Sequence, residues 1–237
     1  MTSGRPTIPG TDELRDLYAY PEELDAPWVR VNFIASLDGA THVEGSSTGL
    51  GTPADRRVFG VLRELADVVL VGAGTARAED YGGARTNEAR RAWRLEHGLA
   101  AVPPIAVVSA GARIDPASRL FTDTTVPPIV FTTETAFAAD KQRLVDAGAT
   151  VLELGHDSVD AAAILATLER LGLRRVLCEG GPKLFGALLD GEAVDDLCLT
   201  VSPLLVGGPA GRIVLTPNAF TYPMARAHVL ADDDGTL

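Results

Sequence analysis

Cysteine and histidine are scarce in this chain of 237 residues, two and four respectively. No apolar run approaches the ~20 residues that cross a bilayer. Cys178 and Cys198 each sit inside an apolar run that reads as a strand, which suits buried reduced thiols better than a disulfide or a metal pair. His42, His97, His156 and His228 are scattered without an H-x-x-x-H or C-x-x-C companion, so no metal site is expected. Positive charge is short as well: 21 Lys and Arg stand against 32 Asp and Glu, a formal net charge of −11. Such a surface argues against a nucleic-acid or anionic-membrane partner, and an anionic ligand must depend on local cations. Residues Met1 to Gly10 lack the basic-then-apolar order of a secretory signal, so a cytoplasmic protein is expected.

What the chain does have is alternation. Apolar residues make up 46% of it, enough for a substantial core. Residues 1–27 read as an arm with a short helix around Asp12 to Tyr18, and residues 28–237 as a single domain. Strands are expected at Val29 to Ala35, Asp67 to Val71, Ile105 to Ser109, Ile129 to Thr132, Val151 to Leu154 and Val176 to Glu179. Helices are expected at Pro53 to Leu65 with Thr52 as cap, at Asn87 to His97 with Thr86 as cap, at Thr135 to Ala147 and at Val159 to Leu171. Arg90, Arg91, Arg94 and Glu96 read as a solvated face of the second of these. Alternating strands and helices predict a three-layer, mainly parallel α/β sheet. With no helix between Asp196 and Ala231, the segments Asp196 to Val201 and Ala225 to Ala231 read as antiparallel strands at one sheet edge, making the sheet mixed. Asp234-Gly235 would suit a hairpin turn into a final strand.

Three strand ends carry candidate chemistry. Arg175-Val176-Leu177-Cys178 stops at Glu179-Gly180-Gly181-Pro182-Lys183-Leu184, where glycines permit close backbone approach, proline suits a first helical turn and free N–H groups attract an anion. The same glycine pair would also serve an ordinary strand-to-helix turn. Ser36-Leu37-Asp38-Gly39 leaves room for a flat ligand beside a carboxylate, or simply turns the chain. Val71-Gly72-Ala73-Gly74-Thr75 leads to Glu79-Asp80-Tyr81-Gly82-Gly83; it lacks the last glycine of G-x-G-x-x-G, which disfavours a Rossmann dinucleotide fold.

In this order, with Glu-Gly-Gly-x-x-Leu and Ser202-Pro203-Leu204-Leu205-Val206-Gly207-Gly208 following, the motifs from about Val29 to Gly208 resemble the pyrimidine reductase family of riboflavin biosynthesis, in its stand-alone actinobacterial form. The resemblance implies a dihydrofolate-reductase-like fold, a homodimer, and NADPH-dependent reduction of a ribosylaminopyrimidine 5′-phosphate to the ribitylamine. It reaches only the reductase half of bifunctional relatives, because no zinc-deaminase motif precedes Val29. Position by position, it implies cofactor contacts at Ala35, Leu50, Gly72, Gly74, Thr75, Glu79 and Asp80. Further cofactor contacts fall at Gly180, Gly181, Pro182, Lys183, Leu184 and Phe185, with Ser109 and Arg113 toward the 2′-phosphate. Substrate would meet Thr48, Arg63, Gly83, Arg85 and Glu179, the arginines gripping the phosphate. Proton handling would fall to Asp38 or Glu179, or to a water.

Two positions depart from the family's pattern. Thr48-Gly49-Leu50 stands where a tryptophan is usual, and Glu79-Asp80-Tyr81 where Asp-Asp-Pro is usual. A dihydrofolate or pterin reductase on the same fold, and a non-catalytic NADPH-binding protein, are therefore the alternatives.

Overall fold

The computed structural model describes residues 8–217 and 219–237. The first seven residues of the expected arm lie outside them. The arm's helix, α1 (Thr11–Leu17), docks on α2 (Pro53–Leu65): Leu14 is buried with Leu62 and Leu65, and Arg15 reaches the buried Glu64 carboxylate. Thr52 caps α2 as expected, its hydroxyl accepting the Asp55 N–H.

Seven strands form one sheet. They are β1 (Trp28–Ser36), β2 (Val68–Gly72), β3 (Ile105–Val108), β4 (Ile129–Thr132), β5 (Thr150–Glu153), β6 (Arg175–Cys178) and β7 (Asp196–Ser202), in the order β5-β4-β3-β2-β6-β1-β7. Connections run through α3 (Ala73–Ala78), α4 (Glu88–Glu96), the single turn α5 (Arg119–Thr122), α6 (Ala138–Asp146), α7 (Ala161–Arg170) and α8 (Pro182–Asp190). The central strands are apolar on both faces: Val68 to Val71 and Val176 to Cys178 are fully buried, as parallel strands covered on each side must be. One cluster packs α1 and α2 on one face, with Leu62, Val69 and Val107. Another packs α7 and α8 on the opposite face, with Val31, Leu168, Phe185 and Leu188.

The sheet is not mixed. β7 runs parallel to β1, from Arg30 opposite Asp196 to Ser36 opposite Ser202, so every paired strand among the described residues is parallel. The reason lies upstream of β7: α8 carries the chain from the end of β6 back to the start of the sheet, and a strand entered from a crossover helix is parallel. Ala225 to Ala231 forms no strand; it is irregular and largely exposed. The chain does turn at Asp234-Gly235, the Gly235 N–H donating to Asp232 O and the Asp232 N–H to Thr236 O, but the expected final strand is reduced to one antiparallel residue pair, Leu237 exchanging both backbone hydrogen bonds with Val201.

Helix α4 also differs from its reading. Asn87, not Thr86, is the cap, accepting the Arg90 N–H. Arg94 is not solvated: it is completely buried, and its guanidinium donates to the carbonyls of Arg63, Glu64, Ala66 and Ala100 at the end of α2 and just beyond α4. Both cysteines are free, and burial pushes each thiol up to about 12, which leaves no thiolate nucleophile. Among the described residues no helix is long and apolar enough to cross a membrane, and no cluster of His, Cys, Asp and Glu could hold a metal.

Candidate active site

Parallel strands order their carboxyl ends along one edge, and the turns that leave them build any site there. Here the turns after β1, β2 and β6, with one side of α2, enclose a cleft of about 650 Å³. Of the expected residues, the cleft gathers Thr48, Arg63, Thr75, Glu79, Asp80, Gly83, Arg85, Glu179 and Pro182. Asn32, Phe33, Thr41, His42, Asp55, Arg56, Phe59 and Arg119 also line it, announced by no local motif, as does Tyr81, which sits within the Glu79 to Gly83 motif without an expected role.

At the floor stands Glu179, one residue past β6 and buried. Arg63 grips it with two parallel bonds, Nε to Oε1 at 2.6 Å and Nη2 to Oε2 at 2.7 Å, and the Tyr81 hydroxyl donates to Oε2 at 2.6 Å. Burial disfavours the Arg63 charge, but the Glu179 carboxylate outweighs it and raises the guanidinium's pKa. Burial, then the same carboxylate, raises Tyr81 well above its ordinary value. Arg63 also lies over the Phe59 ring, 4.5 Å from its centroid. The arginine expected to be free for phosphate is therefore clamped by Glu179.

The exposed cations stand at the mouth. Arg85 pairs with Asp123, and Arg119 bridges Asp80 at 3.1 Å and Asp123 at 2.9 Å, all four side chains being exposed. Exposed pairs of this kind are weak and exchange readily for a better anion. In a chain of net charge −11, the cleft sets four arginines, Arg56, Arg63, Arg85 and Arg119, beside four carboxylates, Asp55, Glu79, Asp80 and Glu179, and is locally balanced in charge.

The expected cofactor residues divide. The β2 and β6 turns meet at their glycines, with Thr75 and Pro182 on either side: Gly72 N–H donates to Gly180 O at 2.7 Å, and any Cβ on Gly181 would fall on the Thr75 hydroxyl oxygen. The glycine pair is thus required by the protein's own close approach, whatever it binds. Gly181 caps α8 without a side chain, so the first-turn N–H groups of that helix are not spent on a capping residue. Gly74 is exposed, with open space around the place of a Cβ. Glu79 is committed within the protein, accepting from the Ser46 hydroxyl at 2.8 Å and the Ser47 N–H at 2.7 Å. Ala35 and Leu50 are buried beneath the cleft residues, as is Phe185, which stacks on Phe33 at 5.4 Å. Lys183 and Leu184 follow in the same first turn of α8, behind Pro182. Arg113 lines a separate cavity of about 190 Å³ with Thr133, Thr135 and Asp157, next to the buried Ser109. An uncapped helix start, open glycine backbone and a polar cavity beyond it fit a dinucleotide spanning the sheet edge.

Asp38 does not line the cleft. Its carboxylate accepts from the Ser36 hydroxyl and from the N–H groups of Gly207 (2.7 Å) and Val206 (3.1 Å), bonds that push it down to about 2. A group that stays ionised to that pH latches the 203–208 loop and is a poor proton donor at neutral pH.

These features define a single-sheet α/β protein whose ligand cleft lies over the carboxyl ends of its central strands. The chain belongs to the RibD C-terminal domain family, whose model matches residues 27–237. It is 31% identical to a 2,5-diamino-6-ribosylamino-4(3H)-pyrimidinone 5′-phosphate reductase of Archaeoglobus fulgidus, over 82% of this chain and 88% of that one. An enzyme of the same name from Methanothermobacter thermautotrophicus is 26% identical over 87% and 95%. In fold, a pyrimidine reductase-like protein from Corynebacterium diphtheriae superposes with a TM-score of 0.84 at 24% identity, covering 94% of this chain and 95% of that one. The family anticipated from the order of motifs is the one that matches.

Proposed function

We propose that this protein is an NADPH-dependent reductase of a 6-ribosylaminopyrimidine 5′-phosphate, yielding the ribitylamine used in riboflavin biosynthesis. The observation that carries the reading is the clamped Arg63–Glu179–Tyr81 cluster between the uncapped start of α8 and a mouth lined by arginines. When bound, the nicotinamide supplies a hydride for C1′ of the ring-opened imine, whose nitrogen gains a proton. Arg85 and Arg119 would exchange Asp123 and Asp80 for the 5′-phosphate. The first-turn N–H groups of α8 and the backbone at Gly74 and Thr75 would hold the pyrophosphate. Glu179, fixed by two partners, would receive amino or hydroxyl hydrogens of the substrate without having to reorganise.

NADPH oxidation followed with the phosphorylated ribosylaminopyrimidine and with dihydrofolate tests the reading. Turnover is expected with the pyrimidine alone. Turnover only of dihydrofolate would make the protein a pterin reductase, and tight NADPH binding without turnover of either would make it a binding protein.

A homodimer through the outer edge of β7 belongs to the same proposal. Among the described residues that edge has no neighbouring strand beyond the Leu237 pair, and Leu199, Leu204 and Leu205 beside it are exposed. Sedimentation at twice the chain mass is expected, and monomeric sedimentation would remove this part.

A further inference from the structure

Helix α2 presents Asp55, Phe59 and Arg63 to the cleft, spaced one turn apart. At a rise of about 1.5 Å per residue they follow one another roughly every 6 Å along the wall. The wall therefore reads carboxylate, phenyl ring, guanidinium. Arg63 is fixed at one end by Glu179 and lies over Phe59, which leaves the ring flanked by a committed cation. Asp55 stands at the other end, half-buried, beside Arg56 and the Thr200 side chain of β7.

With the 5′-phosphate assigned to Arg85 and Arg119, whose exposed partners can be exchanged, the half-buried Asp55 is left to the other end of the substrate, its base. Burial pushes the Asp55 carboxyl up, against the hydrogen bond from Thr200 and the charge of Arg56. A poorly hydrated carboxylate of this kind gains most from a ligand that brings N–H donors. A pyrimidine lying against Phe59 would turn an edge toward it. The 2-amino-4-oxo form offers two adjacent donors there, N3–H and the 2-amino group, matching the two acceptor oxygens. A uracil offers N3–H beside a C2 carbonyl, which would face a carboxylate oxygen lone pair to lone pair.

We propose that Asp55 is the specificity-determining residue of this cleft, reading the 2-amino edge so that a 2-amino-4-oxopyrimidine is accepted and the uracil analogue rejected. The inference rests on the reductase reading above and extends it to the choice of base.

The test compares 2,5-diamino-6-ribosylamino-4(3H)-pyrimidinone 5′-phosphate with 5-amino-6-ribosylaminouracil 5′-phosphate, by kcat/KM and by calorimetric binding. The wild-type protein should favour the diamino compound by at least about a hundredfold, a floor below the ~10⁴–10⁵ by which a site built to hydrogen-bond a group rejects an analogue lacking it. Asp55→Asn turns one acceptor into a donor and complements the uracil edge, so the preference should fall by about a hundredfold or invert. Its melting temperature should barely change, because the Thr52 cap holds the backbone N–H of residue 55 rather than its side chain. Asp55→Glu, with both acceptors kept but displaced, should weaken binding while leaving the direction of preference intact. A wild-type protein indifferent to the two bases, or an Asp55→Asn variant that weakens both alike, would overturn the assignment alone. Failure to bind or reduce either pyrimidine would overturn it together with the reductase reading.

Discussion

Arg94→Met is expected to lower the free energy of unfolding by more than about 4 kcal/mol, the largest stability effect of any single change away from the sheet. The last carbonyls of a helix have no intrahelical partner. At the end of α2 one guanidinium supplies what is missing, with Nη1 2.7 Å from Glu64 O, 2.8 Å from Ala66 O and 3.2 Å from Arg63 O, and Nε 2.7 Å from Ala100 O. Methionine matches the length and fills the space, so packing is preserved while four acceptors lose their donor, each at about 1–3 kcal/mol when buried. Chemical denaturation measures the loss, and a change under about 1 kcal/mol would mean that water reaches those carbonyls. Because the Arg63 carbonyl is among them, the variant should also loosen the turn that aims Arg63 at Glu179. Arg94→Lys, a single donor in place of a fork, should fall between the two.

Glu179→Gln is expected to reduce kcat/KM by about a hundredfold or more, with a loss of stability on the order of 3 kcal/mol. The amide is the same size but leaves the Arg63 charge without its counter-ion, and it offers Tyr81 a poorer acceptor. Fluorescence titration should show NADPH affinity little changed, since the first turn of α8 does not depend on that charge. A double-mutant cycle with Arg63→Ala should give strong coupling, because either substitution alone breaks the same pair of bonds. Additive losses would show that the two residues act separately.

Most of this was legible where the information is local. All seven strands could be read from apolar runs bounded by turn residues, and the β6 turn from Glu179-Gly180-Gly181-Pro182, because the chemistry of a strand end is written within a few residues. The direction of β7 was not, since Asp196 to Ser202 looks the same in either orientation, and what decides it is α8 crossing behind β1. Ala225 to Ala231 has a strand's composition but no neighbour to bond, and composition without a partner makes no strand. Arg94 misled for a related reason: its burial comes from α2, thirty residues away. In the cleft, the residues carried by motifs were found and those carried by packing were not. Tyr81 sits within the Glu79 to Gly83 motif but carries no expected role there, and nothing in the sequence singles out Arg119. The signal for Asp55 and Phe59 was present, as a second stripe on α2 at four-residue spacing beside the apolar Val58, Leu62 and Leu65, but a mixed stripe looks like solvent exposure until something stands opposite it.

The position of β1 has a consequence for biosynthesis. Trp28–Ser36 is the first of the seven strands to be synthesised, yet its two neighbours, Arg175–Cys178 and Asp196–Ser202, are the last two. Until then a stretch bearing Val29, Val31, Phe33 and Ile34 has nothing to pair with, so the nascent chain must shelter it, by transient collapse or by a chaperone. The strand that forms the backbone of the cleft is thus the last to find its place, and the yield of active protein should depend more on what happens in those seconds than on the stability of the finished fold.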